Sequence, residues 1–330
     1  MGNEAKASMD ASDPFRINDH LSSKQIGFPL IVTKPTKLKQ GDKIGIIAPA
    51  GPVLRSELQN GIQLLESFGH EVVLSSHLFD KQGYLSGEDN ARLEDIHTMF
   101  TDNSVKAVIC ARGGYGTLRI LDRINYDILR ENPKIFVGYS DITALLLALY
   151  KKTGLLTFHG PVLRELTQKS IGNLESFLNL VSSDRLLDME LAGGRSLKPG
   201  KATGTLMGGN LSLICHLLGS PYMPSMRGAV LFIEEKGEDL YRVDRLLTHL
   251  RLSGVLAETV GLIAGTFEGC GERVEIDRLL TDAVSDLDIP VLTGLPVGHG
   301  LINITLPIGL PATIDSETMT LKIQESCVTP

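Results

Sequence analysis

The sequence predicts an α/β protein, with a parallel-sheet region in the N-terminal half and a β-rich, barrel-like second half. Three observations carry this expectation. Short apolar runs alternate with helix-periodic segments from about residue 43 to residue 159, which implies right-handed βαβ crossovers. Gly and Pro punctuate the ends of those runs. In the second half the last two strand runs, INITLPIG and ATIDSETMTLKI, alternate apolar and polar residues and contain Pro and Gly, a pattern of antiparallel or barrel-like strands.

The elements follow in order. KIGIIA at 43–48 is a buried strand, ended by Pro49, Gly51 and Pro52. Residues 54–68 carry Leu58, Ile62, Leu65 and Phe68 at helical spacing, and Gly69 stops the helix before the strand EVVLS. A second helix starts near Asp89, with Leu93, Ile96 and Phe100 on its apolar face. AVICA is a third strand, leading into RGGYGTLRILDRI, with a helix expected after the glycines. Asn132-Pro133 breaks the chain, KIFVG is a fourth strand, and Ser140 opens a helix to about Lys152. LLTFHGP reads as a short fifth strand. Residues 182–204 are polar and Gly/Pro-rich and are expected to be a linker. GTLMGGNLSLICHLLGS reads as a Gly turn and an apolar helix, GAVLFIEE as a strand, and DLYRVDRLLTHLRLSG as an amphipathic helix. GLIAGTF, PVLTG, INITLPIG and ATIDSETMTLKI are further strands. The expected organisation is a polar extension at 1–37, an α/β domain at 38–181, the linker, and a β-rich domain at 205–330.

Composition narrows the function classes. The 330 residues carry a net charge of −7, which argues against nucleic acid or an anionic membrane surface as the main partner. Trp is absent, which argues against a stacking platform. Cys110, Cys215, Cys270 and Cys327 show no metal-type spacing, so no metal or other cofactor is expected, and a reducing, cytoplasmic setting is. No run reaches the ~18 apolar residues of a membrane helix. The first 20 residues lack the apolar stretch of a signal peptide.

Three places hold candidate chemistry. In strand-GYSD-helix, Ser140 is either a helix N-cap or a nucleophile on a tight strand-to-helix turn, and the cap is the simpler reading. Gly113, Gly114 and Gly116 do not complete G-x-G-x-x-G, because Arg119 stands at the third glycine. Their N–H groups suit a phosphate or an oxyanion. A nucleophilic serine needs a base and an orienting acid. His299, flanked by Gly298 and Gly300, is the least covered histidine and is otherwise an exposed loop residue, whereas His159 and His216 read as core. Glu234 and Glu235 end a buried strand and are either solvated charges or a carboxylate facing a cleft. Alternation turns them to opposite faces.

Eight segments taken together resemble one family, the LD-carboxypeptidases, serine peptidases that act on murein peptides. They are GDKIGIIAPAGPV, YLSGEDNARLEDI, ARGGYGTLRIL, NPKIFVGYSDITALL, LTFHGP, GTLMGGNLSLICHLLGSPY, LFIEEKGEDLYRVDRLL and LPVGHGLINITLPIG, in order over about residues 38–325. The resemblance implies a flavodoxin-like N-terminal domain, a C-terminal β-rich domain and a Ser-Glu-His triad spanning the two. It makes Ser140 the nucleophile, His299 the base and Glu234 the orienting acid, with backbone N–H groups of Gly113, Gly114 and Asp141 forming the oxyanion hole. It implies hydrolysis of the bond before a C-terminal D-alanine in murein tetrapeptides during cell-wall recycling, by a cytoplasmic homodimer. Arg112 and Arg242 are candidates, by placement, for holding the substrate carboxylate, although surface arginines are the simpler reading. Two other functions fit the same residues: a hydrolase of aminoacyl- or peptidyl-nucleotide amides resembling the microcin-immunity branch, and a non-catalytic binder of murein fragments.

Overall fold

Apolar β-branched runs become strands where both faces can be covered, and the first half of the chain has five of them. The computed structural model describes residues 32–330, so most of the expected 1–37 extension lies outside the described residues. Residues 32–37 run beside the first domain, with bridges from Thr33 to Leu155 and from Thr36 to Thr329.

The first half contains β1 (Lys43–Ile47), α1 (Arg55–Ser67), β2 (Glu71–Leu74), α2 (Asp89–Thr101), β3 (Val105–Cys110), α3 (Tyr126–Glu131), β4 (Ile135–Gly138), α4 (Thr143–Thr153) and β5 (Thr157–His159). The strands lie in the order β5-β4-β3-β1-β2, and every neighbouring pair is parallel. Read from the other edge this is 2-1-3-4-5, the flavodoxin-like order, whose ligand crevice lies beyond the carboxyl ends of β1 and β3. At that point the Gly51 N–H donates to the Gly113 carbonyl at 3.2 Å and joins the two loops. The glycine loop leads not into an α-helix, as expected, but into two 3₁₀ turns, Thr117–Arg119 and Leu121–Arg123. The α-helix waits until Asn125, whose side chain caps α3 by accepting from the N–H groups of Asp127 and Ile128.

The second half adds α5 (Ile171–Val181), β6 (Asp188–Glu190), β7 (Ser196–Lys198), β8 (Lys201–Asn210), α6 (Leu211–Leu217), β9 (Ala229–Lys236), α7 (Leu240–Leu252), α8 (Val255–Glu258), β10 (Gly261–Glu268), α9 (Arg273–Ala283), β11 (Val291–Thr293), β12 (Leu306–Ile308), β13 (Pro311–Asp315) and β14 (Thr320–Ile323). Eight of these strands form a mixed sheet in the order β6-β14-β13-β8-β9-β10-β11-β7. Its middle, β8 to β11, is parallel, and its flanks are antiparallel. The edge strands β6 and β7 are separated by a short stretch of chain that reaches at most about 22 Å. Eight flat strands would span about 33 Å. The sheet therefore curls until its edges approach, which gives the barrel-like shape.

Three expectations are corrected. Residues 182–204 are not a linker: they supply both edge strands and the start of β8. Their Gly and Pro residues form the tight connections between those short strands. The glycines of GTLMGGN are not a turn but the end of β8, where the backbone passes very close to its neighbours. A Cβ on Gly208 would lie 1.9 Å from the Phe232 carbonyl oxygen, and one on Gly209 would lie 2.5 Å from the Thr143 methyl. The boundary at 205 is also crossed, because β12 pairs antiparallel with β5 and so belongs to the first sheet. No helix among the described residues is long and apolar enough to cross a membrane.

Candidate active site

Ser140 stands between the end of β4 and the start of α4. Tyr139 is extended, and Ser140 then takes φ +63°, in the left-handed region. Among the described non-glycine residues only Met319 shares a positive φ. Such a backbone costs about 1–3 kcal/mol and persists only where the surroundings enforce it. Here the fully buried β4 and the fully buried first turns of α4 hold both sides of the turn. Ser140 is not an N-cap: no side chain caps either helical segment that follows it. Its hydroxyl instead meets His299, with Nε2 at 3.1 Å from Oγ.

His299 lies in the loop between β11 and β12. Gly298, at φ +109°, is required there because a Cβ would lie 2.4 Å from Thr266 Oγ1 and 2.7 Å from Glu234 Oε2. The Gly298 N–H donates to Asn303 Oδ1 at 3.0 Å, and the Asn303 N–H donates to Asn173 Oδ1 at 3.0 Å, so the loop is tied to α5. The imidazole packs on the Tyr139 ring with centroids 4.8 Å apart. Its Nδ1 lies 2.8 Å from Glu234 Oε2.

Strand phase separates the two glutamates. Both are buried. Glu234 faces His299, whereas Glu235 accepts from Asn210 Nδ2 and from the Ser212 N–H, each at 2.8 Å, and so fixes the β8–α6 corner. A carboxylate only accepts, so Glu234 holds the imidazole proton on Nδ1 and leaves Nε2 to accept from the Ser140 hydroxyl. Burial acts to lower the His299 pKa, but the hydrogen bond and charge of Glu234 outweigh it and hold the imidazole above its ordinary value. Burial pushes the Glu234 carboxyl up, and the His299 contact opposes that.

The glycine loop completes the surface around Ser140. A Cβ on Gly113 would lie 2.9 Å from Ser140 Cβ and 3.1 Å from Oγ, so only glycine fits. The Gly113 carbonyl is turned toward Gly51. In a trans peptide the Gly114 N–H then points the other way. Neither the Gly114 nor the Asp141 N–H has an acceptor among the described residues. Asp141 is held by Thr117, whose N–H donates to its carboxylate at 2.9 Å and whose hydroxyl donates to its carbonyl at 2.7 Å.

Arg112, Gly113, Gly114, Tyr139, Ser140, Arg164, Glu165, Lys236 and His299 line one cavity of about 250 Å³. Arg242 is not among them. It is exposed on α7, close to Glu238 and the Tyr241 ring, which removes it as a carboxylate ligand. Tyr139, Arg164, Glu165 and Lys236 were not anticipated. The switch-point rule would have found Arg164 and Glu165, because they follow β5 and every loop beyond a strand's carboxyl end faces the crevice. Of the two histidines read as core, His159 is buried, whereas His216 is exposed, on the outer face of α6. His159 lies between the rings of Tyr139 and Phe232, and burial lowers its pKa to about 3. Among the described residues no group of three or more His, Cys, Asp or Glu is arranged to hold a metal ion.

Residues 44–160 match the family model for the LD-carboxypeptidase N-terminal domain, and residues 203–314 match that for the LD-carboxypeptidase C-terminal domain. The chain is 39% identical over 305 residues to a probable murein peptide carboxypeptidase of Bacillus subtilis (strain 168), covering 88% of this chain and 94% of that protein. It is 30% identical over 296 residues to the murein tetrapeptide carboxypeptidase of Pseudomonas aeruginosa, covering 84% and 94%. Among solved structures, the microcin C7 self-immunity protein MccF superposes with a TM-score of 0.85 at 26% identity, over 90% of this chain and all of that one. The muramoyltetrapeptide carboxypeptidase of Oxalobacter formigenes superposes with a TM-score of 0.76 at 33% identity, over 87% of this chain and all of that one. On both domain matches and near full-length similarity, the chain belongs to the LD-carboxypeptidase family.

Proposed function

We propose that this protein is a serine LD-carboxypeptidase that releases the C-terminal D-alanine from murein tetrapeptides. The observation that carries the reading is the line from Glu234 through His299 to Ser140, with contacts of 2.8 and 3.1 Å, ending on a serine held at a strained turn. The relatives named for murein peptides supply the substrate class.

In this mechanism the Ser140 hydroxyl gives its proton to His299 Nε2 as Oγ attacks the carbonyl before the terminal residue. The N–H groups of the Gly113–Gly114 turn and of Asp141 stabilise the oxyanion, whose charge develops where they have no competing acceptor. His299 passes the proton to the leaving amine, and D-alanine departs. Water then attacks the acyl-enzyme with His299 again as base, freeing the tripeptide and restoring Ser140. Glu234 keeps the imidazole in the required tautomer and stabilises its cation.

The test is D-alanine release from a defined tetrapeptide. Ser140→Ala and His299→Ala should each lower kcat by several orders of magnitude with an unchanged far-UV circular dichroism spectrum. Near-normal release by either variant would refute the assignment. The closer superposition on MccF favours a second reading, cleavage of an aminoacyl-nucleotide amide; MccF itself is seen in complex with aspartyl sulfamoyl adenosine. Turnover of that compound with no D-alanine release from the tetrapeptide would select it.

A further inference from the structure

Three cations and one carboxylate share the cavity with Ser140, and the mechanism above uses none of them: Arg112, Arg164, Lys236 and Glu165. Two of the four are engaged by neighbours. Glu165 accepts from the Tyr139 hydroxyl at 2.7 Å, and Lys236 pairs with Glu268 at 3.3 Å. The two arginines differ. Arg112 is fixed on the joined loops, with Nε donating to the Gly113 carbonyl at 3.2 Å and Nη1 to the Pro52 carbonyl at 2.9 Å. Its Nη2 has no acceptor among the described residues. Arg164 is brought beside it by its own backbone, whose N–H donates to the Ala111 carbonyl at 3.0 Å. The Arg164 Nε lies 3.6 Å from Glu57 Oε1, beyond hydrogen-bond range, and among the described residues its two terminal nitrogens have no acceptor.

Arg112 and Arg164 line one cavity close enough for their charges to act on each other. The nearby carboxylates, Glu57 in a 3.6 Å ion pair with Arg164 and Glu165 bonded to Tyr139, leave Arg112 Nη2 and both Arg164 terminal nitrogens without a hydrogen-bond acceptor among the described residues. Like charges held together in this way favour an anion, and the guanidinium fork matches a carboxylate with two parallel hydrogen bonds. Position adds to this. In a peptide the carboxylate carbon of the last residue lies only about 3–4 Å from the carbonyl carbon under attack. The group that holds it must therefore stand in the Ser140 cavity, next to the glycine turn that Arg112 precedes.

We propose that Arg112 and Arg164 together clamp the terminal carboxylate of the substrate, and that Arg164 is the residue that makes a free C-terminus a requirement. The nature of the ligand rests on the carboxypeptidase reading; the anion preference does not. The experiment uses the full chain with Ser140→Ala, so that nothing turns over, and isothermal titration with a murein tetrapeptide ending in D-alanine and with its C-terminal amide. The acid should bind more tightly than the amide, and adding Arg164→Gln should shrink that preference roughly 10- to 100-fold, the range of a hydrogen-bonded charge. No preference for the acid in the parent overturns the proposal. So does a preference that Arg164→Gln leaves unchanged, or one that only Lys236→Gln removes. Arg164 is a surface-reaching side chain, 41% exposed, so the decisive variant does not depend on the tighter Arg112 site. Failure of the hydrolase reading is seen separately, as an unmutated protein that prefers the acid yet releases no D-alanine.

Discussion

Replacing Glu234 with Gln tests the orientation of the imidazole without changing the volume of the side chain. Glu234 is fully buried and meets His299 Nδ1 through Oε2. With an amide in that place, the NH₂ group can donate to Nδ1. The imidazole proton then moves to Nε2, which faces the Ser140 hydroxyl and can no longer accept from it. In serine hydrolases this inversion of tautomer lowers kcat by about 10⁴-fold with the geometry intact, or ~5.5 kcal/mol of transition-state stabilisation. The pH profile should move as well. Activity needs the unprotonated base, so it rises with pH through the pKa of the coupled pair. In the parent that limb lies above the ordinary imidazole value, because Glu234 outweighs burial. In Glu234→Gln the carboxylate influence is gone and burial remains, so the limb shifts to lower pH while the plateau falls. Glu235→Gln is the matched control. It disturbs the β8–α6 corner, with a stability loss of about 1–2 kcal/mol, and leaves kcat within about tenfold. The assay is kcat/KM for D-alanine release from pH 5 to 9. Glu234→Gln within tenfold of the parent, or Glu235→Gln as the more damaging change, would refute the reasoning.

Other substitutions probe the scaffold. Gly113→Ala pushes a methyl group against Ser140 Cβ at 2.9 Å, and a shift of about 1 Å at Ser140 should cost roughly 100-fold in kcat, alongside about 1–3 kcal/mol of stability lost to overpacking. Gly208→Ala brings Cβ to within 1.9 Å of the Phe232 carbonyl oxygen at φ +151°, and is expected to cost more than about 3 kcal/mol in urea unfolding through strain and overpacking; a stable variant would show that β8 and β9 do not approach as described. Arg92, 1% exposed, donates through Nη1 to the carbonyls of Pro49 at 2.5 Å and Gly116 at 2.9 Å. Arg92→Met strands both carbonyls, and should lower stability by about 2–4 kcal/mol and loosen both loops at the site, read as a lower melting temperature together with a raised KM.

The parallel strands of the first sheet were legible because each is a short apolar run with a Gly or Pro near one end, after the strand for β1, β3, β4 and β5 and before it, at Gly69, for β2, and local pattern suffices for that. The glycines of β8 were misread for a physical reason. Gly208 and Gly209 resemble a turn in sequence, but they are glycine because two backbones and the Thr143 side chain come too close for a Cβ, and only the tertiary fold reveals that. Residues 182–204 were misread in the same way, since strands of three residues such as β6 and β7 carry too little alternation to stand out. Composition and periodicity alone favour a cap at Ser140 and leave His299 evenly balanced between a loop residue and a base; the order of the family's motifs brings both forward. The strand phase of the Glu pair was legible in principle, because period-two alternation guarantees that one carboxylate faces the cleft and the other does not.

The residues of the line are far apart in the chain, 65 positions between Glu234 and His299 and 159 between Ser140 and His299, yet the structural route between them is short. Ser140 begins the turn that leads into α4, and Thr143 is the first residue of that helix. The Thr143 hydroxyl accepts from the Asn210 N–H at 3.1 Å. Asn210 is the last residue of β8, is paired in register with Glu234 on β9, and donates its side-chain amide to Glu235. Gly209, immediately before it, has no Cβ and so lets β8 close on Thr143. Backbone pairing and the Thr143–Asn210 hydrogen bond therefore set the distance from the serine turn to the acid, and His299 needs only to fill the gap from its own pinned loop. This rigidity lets a non-glycine residue remain at φ +63°: relaxing the turn would break the Thr143–Asn210 contact and unseat α4 from β8. The strain at Ser140 and the closeness of the two sheets are thus one constraint, and a substitution that relieves either should be felt at the other.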